Sequence, residues 1–105
     1  MNINEKNLQQ SWVHSHEEDT ETEMIFRPAT YRFPPSRGRK SFELRPDGTL
    51  LETGIGPADV PLQYQGKWQL IKNGNLVFLF NSVTMPRKIL KIVSVERNRL
   101  VVRRK

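Results

Sequence analysis

The sequence contains no cysteine and no long apolar run. Without cysteine, disulfide bonds, thiol catalysis and cysteine-based zinc sites are all excluded. No apolar stretch approaches the roughly 18 residues that a membrane-spanning helix needs. The first residues also lack the charged-then-apolar pattern of a signal peptide. We therefore expect a cytoplasmic protein without a membrane span.

Motifs of common enzyme classes are also missing. The chain has no Gly-x-Ser-x-Gly nucleophile motif, no Gly-x-Gly-x-x-Gly motif and no Walker motif. No pair of carboxylates or Ser-His arrangement is recognisable as catalytic. We expect a protein that is not an enzyme and that has no cofactor.

The charge of the chain is divided unevenly along its length. Residues 1–24 carry six acids and one base, whereas residues 25–105 carry sixteen bases and five acids. Either the basic part has an anionic partner or the acidic segment neutralises it internally. We favour internal neutralisation, because β-hairpins can place residues 14–23 beside a basic neighbour. With 105 residues, the chain has room for a single domain spanning residues 1–105.

Short alternating segments separated by turn residues dominate the pattern. Residues 3–10 predict one or two helical turns, with Ile3 and Leu8 facing inward. Pro46-Asp47-Gly48 and Asn73-Gly74 predict tight turns, the second of type I′. Such a pattern is typical of a small antiparallel barrel or sandwich. The predicted strands cover residues 11–16, 23–27, 40–45, 49–54, 66–72, 75–80, 88–95 and 100–103.

Four stretches together resemble a known family. They are "LQQSW" (8–12), "SFELRPDGTLLETG" (41–54), "YQGKWQLIKNGNLVFLF" (64–80) and "LKIVSVERNRLVVRRK" (90–105). Their order is similar to that of bacterial lipocalin-like domains, over residues 8–103. The resemblance implies an all-β, up-and-down antiparallel barrel of about eight strands with a short N-terminal helical turn. It carries over very little chemistry, since fold does not fix function.

"HSHEEDTE" (14–21) offers a weak metal-site candidate. In a strand, His14 and His16 would share a face, and Glu21 follows at a spacing seen in cupin metal sites. The chain contains no third histidine. The alternative is a pair of polar residues at a barrel mouth, hydrogen-bonded to nearby acids or to tyrosine. We favour that alternative and expect no metal site.

"RFPPSRGRK" (32–40) places arginines in a segment stiffened by two prolines. Guanidinium groups on a rigid backbone suit a carboxylate or phosphate, because arginine binds such groups bidentately. Asp59 in the second proline-rich loop, "GIGPADVP" (54–61), could instead pair with one of these arginines at the rim. Both interpretations stay open from the sequence.

These features together favour a non-enzymatic binding module for a small amphipathic or acidic ligand at the barrel mouth. The candidate residues are Phe42, Trp68 and Phe78 for the apolar body and Arg32, Arg37 and Arg39 for the acidic group. The alternative is a basic barrel that contacts nucleic acid or an acidic protein through the arginine-rich loop and "RNRLVVRRK" (97–105). We expect a monomer or a weak dimer.

Trp68 provides the first test. Its place on the inward face of a strand with Leu70 predicts that Trp68→Ala lowers the free energy of unfolding by roughly 3–5 kcal/mol. Chemical denaturation measures this change. A loss below about 1 kcal/mol would mean that Trp68 is exposed and that the strand register is wrong.

Overall fold

The computed structural model describes residues 3–36, 38–55, 61–80 and 87–103. Its helix α1 spans Glu5–Leu8, and two short 3₁₀ turns span His16–Glu18 and Lys72–Gly74. Among the described residues, no helix is long and apolar enough to cross a membrane. The strands are β1 Ser11–His14, β2 Glu23–Pro28, β3 Ser41–Leu44, β4 Thr49–Ile55, β5 Pro61–Ile71, β6 Asn75–Phe80, β7 Lys88–Glu96 and β8 Arg99–Arg103.

The strands close into an antiparallel barrel, which confirms the predicted all-β architecture. Around the wall they follow the order β1-β2-β8-β7-β6-β5-β4-β3, and β3 returns to β1. From β3 to β8, each strand pairs with the next one along the chain, as in an up-and-down meander. The order changes at one point, because β1 lies between β2 and β3.

This insertion forces a long connection between β2 and β3. Both strands run antiparallel to β1, so they run in the same direction, and residues 29–40 must travel from one end of the barrel to the other. The connection begins where Ala29 N donates to Ser11 O (3.2 Å) and ends where His14 N donates to Lys40 O (2.9 Å). We call residues 29–40 the crossover segment; Arg37 within it lies outside the described residues.

Helix α1 lies at one end of the barrel, which we call the lower end. The predicted inward position of Leu8 is confirmed, since it is fully buried. Its carbonyl oxygen accepts a hydrogen bond from Trp12 Nε1 (3.1 Å), which anchors the helix to the first strand. Just beyond the helix, Gln10 Nε2 donates to Arg97 O (2.9 Å). Helix α1 and the residues that follow it therefore pack against the lower end of the core.

Three local predictions need correction. The predicted strand 11–16 ends at His14, because the chain turns into the 3₁₀ turn His16–Glu18. Strand β5 begins at Pro61, five residues before the predicted start. The predicted two-residue turn at Asn73-Gly74 is a three-residue loop, since Ile71 pairs with Asn75. Gly74 has φ 74°, the left-handed conformation that such a loop requires.

Gly66 on β5 marks the closest approach of two strands. A Cβ atom at this position would overlap the carbonyl oxygen of Leu79 on β6 and lie 2.9 Å from the Cα of Phe80. Both are backbone atoms that cannot move without disturbing the β5–β6 ladder. Only glycine fits here.

We expect Gly66→Ala to lower the free energy of unfolding by about 3 kcal/mol, the upper part of the range for overpacking. Gly54→Ala on β4 is the matched control, because a Cβ there would meet nothing within 4 Å. Urea denaturation of both variants measures the difference. Equal stabilities of the two variants would contradict the close approach of β5 and β6.

Candidate functional site

Residues 14–23, the acidic segment, contact the crossover segment and β2. Arg39 makes a bidentate ion pair with Glu17, in which Nη1 lies 2.7 Å from Oε1. Arg27 on β2 binds Glu18 in the same way, with Nε–Oε2 at 2.8 Å and Nη2–Oε1 at 2.7 Å. The predicted internal neutralisation of basic residues by residues 14–23 is confirmed at these two pairs.

Both carboxylates are strongly stabilised in their charged form. The hydrogen bonds from Arg39 lower the pKa of Glu17 from 4.5 to about 2. Those from Arg27, helped by the Ser15 hydroxyl, lower the pKa of Glu18 to about 2 as well. Two fork-shaped pairs on adjacent residues thus tie the 3₁₀ turn His16–Glu18 to the barrel wall.

The same two arginines also pack on aromatic rings of the crossover segment. The Arg27 guanidinium lies 4.9 Å from the centre of the Tyr31 ring, and that of Arg39 lies 4.7 Å from the Phe33 ring. The two rings contact each other edge to face, with centres 4.9 Å apart. Arg39, a predicted acid-binding residue, is therefore engaged by Glu17 and Phe33. Arg32 is exposed on the same segment, whereas Arg37 and Asp59 lie outside the described residues.

His14 ends β1 and His16 begins the following 3₁₀ turn, and their ring centres lie 6.0 Å apart. His14 Nε2 makes a 2.8 Å hydrogen bond with Asp19 Oδ2, while His16 Nε2 bonds Ser36 Oγ at 2.9 Å. Glu21 is exposed. Within the described part of the chain, no three His, Cys, Asp or Glu side chains gather as metal ligands would. His14 has the acidic hydrogen-bond partner that the non-metal interpretation expects.

The three aromatic residues predicted to contact the apolar body of a ligand lie in the packed core. Phe42 and Trp68 are buried, and Phe78 is fully buried, with its ring centre 5.2 Å from that of Phe42. Trp68 pairs with Phe78 across β5 and β6, and its Nε1 donates to Arg45 O (2.8 Å). The structure thus brings these three side chains together. Arg39 does not join them, because its guanidinium group contacts Glu17 and Phe33.

A cavity of about 220 Å³ opens at the upper end of the barrel, opposite α1. We call it the mouth cavity. Glu52 and Tyr64 face the interior there, because they share a register row with buried Phe42. Lys88 also faces inward as the cross-strand partner of Phe78. The lining consists of Lys40, Glu52, Thr53, Gly54, Leu62, Tyr64 and Lys88.

An ion pair crosses this cavity from β4 to β7. Lys88 Nζ lies 2.9 Å from Glu52 Oε1, and the Glu52 side chain is only 12 % exposed. Lys40 lines the same cavity, and no ion pair joins it to a carboxylate of the described residues. The mouth therefore combines two ammonium groups and one carboxylate with the apolar surfaces of Leu62 and Tyr64.

The sequence-based selection of site residues did not include these side chains. Polar residues at inward-facing strand positions could have indicated this site, because polar side chains are costly to bury and are therefore uncommon there without a reason. Lys40 is two residues before Phe42 and shares its face by strand alternation. Glu52 and Lys88, however, become neighbours only when β4 and β7 face each other across the closed barrel.

Comparison with known proteins adds no assignment. A scan against protein-family models and searches of curated proteins and solved structures found no match to the chain.

The carboxylate pairs predict an acid-sensitive contribution to stability. Because the pKa of Glu18 is about 2 in the folded chain and near 4.5 when unfolded, its stabilisation is complete above about pH 4.5. It should fade as the pH falls from about 4.5 to about 2. Glu18→Gln should therefore be less stable than the parent at pH 6 and equally stable near pH 2.

Urea denaturation across this pH range measures the effect. Glu21→Gln, in the same segment but exposed, is the control and should follow the parent at every pH. If Glu18→Gln remains less stable than the parent by the same amount down to pH 2, the charge of the carboxylate is not what stabilises the fold.

Proposed function

We propose that the protein is a non-enzymatic binding module that takes a small acidic ligand with an apolar body into the mouth cavity. The observation that carries the proposal is the cavity itself, whose lining pairs ammonium groups with apolar surface. Pockets for small molecules combine these features, with few polar groups that fix orientation. Kinship with bacterial lipocalin-like domains, and a cytoplasmic location, belong to the same proposal.

The size of the cavity limits the ligand. At about 220 Å³ it exceeds the roughly 150 Å³ of an engineered cavity that holds benzene. A ligand with one ring or a short alkyl chain therefore fits, and its charged end can remain near the opening. Leu62 and Tyr64 provide the apolar contacts for such a body.

We assign the acidic group of the ligand to Lys40, with Lys88 beside it, in preference to Arg39. Arg39 already has a carboxylate partner, so a ligand would have to displace Glu17 from a bidentate pair. Lys40 lines the cavity without an ion pair to any carboxylate of the described residues, so a ligand carboxylate would displace none of them there. Phe42 and Phe78, the cross-strand partners of Glu52 and Lys88, belong with Trp68 to the packed core beside the cavity.

The alternative partners, nucleic acid or an acidic protein, receive less support. Arg39 in the arginine-rich loop is neutralised by Glu17, and Arg27 on β2 is neutralised by Glu18. Salt dependence separates the classes, since binding to a phosphate backbone weakens steeply with salt, whereas binding in a cavity changes little.

3-Phenylpropionate, which joins a benzene ring to one carboxylate, is the test probe. We expect it to bind the parent protein, and Lys40→Gln to weaken that binding at least tenfold, or about 1.4 kcal/mol. Lys67→Gln removes the same charge from the exposed outer face of β5 and should leave the affinity unchanged. Isothermal titration calorimetry at low and high salt measures all three proteins.

3-Phenylpropanol has the same apolar body without the acid and serves as the second control. It should bind the parent and Lys40→Gln equally. Absence of binding of both probes to the parent would overturn the proposed function. An equal loss of affinity in Lys40→Gln and Lys67→Gln would show that general surface charge, and not the mouth, attracts the acid.

A further inference from the structure

Glu52 occupies an unusual position for a carboxylate. In register it lies between Phe42 on β3 and Tyr64 on β5, on the inner face of the barrel. Its side chain is 12 % exposed, and a carboxylate held among aromatic rings is stable only with a charged or hydrogen-bonding partner. Lys88 provides that partner from the opposite wall.

The charges that line the mouth cavity favour a single negative charge on the ligand. Lys40 and Lys88 bring two positive charges, and Glu52 brings one negative charge. One ligand carboxylate therefore neutralises the described lining, whereas a doubly charged group such as a phosphate monoester leaves an excess negative charge. Like charges in a partly desolvated cavity repel strongly, which selects against such ligands.

A ligand carboxylate that approaches Lys88 must share this lysine with Glu52. The two carboxylates then lie close together, and an ionised carboxylate can only accept hydrogen bonds. Without a donor between them, the contact is repulsive. A hydroxyl or ammonium group beside the acid of the ligand can donate to Glu52 and remove this cost.

We infer that Glu52 makes the mouth cavity selective for monocarboxylates that carry a hydrogen-bond donor next to the acid group, such as hydroxy acids or amino acids with an apolar side chain. This inference rests on the proposed function. A site with a polar group aimed at the ligand rejects analogues that lack the matching donor more strongly than a purely apolar pocket does.

The test compares 3-phenylpropionate with 3-phenyllactate, which differ by one hydroxyl beside the carboxylate. Calorimetry should show that the parent binds 3-phenyllactate at least about tenfold more tightly. Glu52→Gln removes the repulsion, so 3-phenylpropionate should bind more tightly and the ratio should shrink. In Glu52→Leu, which offers no acceptor, the ratio should approach one.

Glu43→Gln is the matched control, because it removes one carboxylate from an exposed ion pair with Arg45 on β3. This variant should keep the parent ratio. Equal affinities of the two probes for the parent would overturn the selectivity and leave the proposed function standing. A preference for 3-phenyllactate that persists in both Glu52 variants would also overturn the selectivity, because another group would then bind the hydroxyl. If neither probe binds the parent, the proposed function fails, and the selectivity fails with it.

Discussion

The placement of β1 between β2 and β3 is the constraint on which the rest of the structure depends. Neighbouring strands of this barrel alternate in direction, so β2 and β3, which flank β1, must run the same way. A short hairpin cannot join two such strands. The chain therefore needs a connection that crosses the full length of β1, and the crossover segment fills this role. Its prolines limit the conformational freedom that the connection loses on folding.

A connection of this length has to be held in place by side chains. Two acidic residues of the 3₁₀ turn that follows β1 do this, through the pairs Glu17–Arg39 and Glu18–Arg27. Each guanidinium also contacts an aromatic ring of the crossover segment. Part of the charge asymmetry of the chain thus has a structural explanation. Arg39 of the arginine-rich stretch has a structural role, because it holds the crossover segment to the 3₁₀ turn.

The two ends of the barrel differ in the residues that face the interior. At the lower end, α1 packs Leu8 into the core and receives the indole hydrogen bond of Trp12. At the upper end, the inward positions change from aromatic rings to Glu52 and Lys88. Burying the Glu52 carboxylate lowers stability unless it is paired, and the more exposed Lys88 provides its partner across the cavity. The upper end therefore combines charged inward-facing groups with the buried rings of their cross-strand partners, Phe42 and Phe78.

The sequence by itself determined the elements of this fold. Alternation around Phe42 and Leu44, the Pro46-Asp47-Gly48 turn and the inward position of Leu8 follow from local chemistry, and the structure confirms them. Local chemistry acts over a few residues, which is why the number of strands and the Pro46-Asp47-Gly48 turn are readable from the pattern. It cannot reveal that β1 enters between β2 and β3, because pairing depends on which strands meet in space. The same limit applies to the site. The bond between Glu52 and Lys88, 36 residues apart, exists only because closure of the barrel places β4 opposite β7.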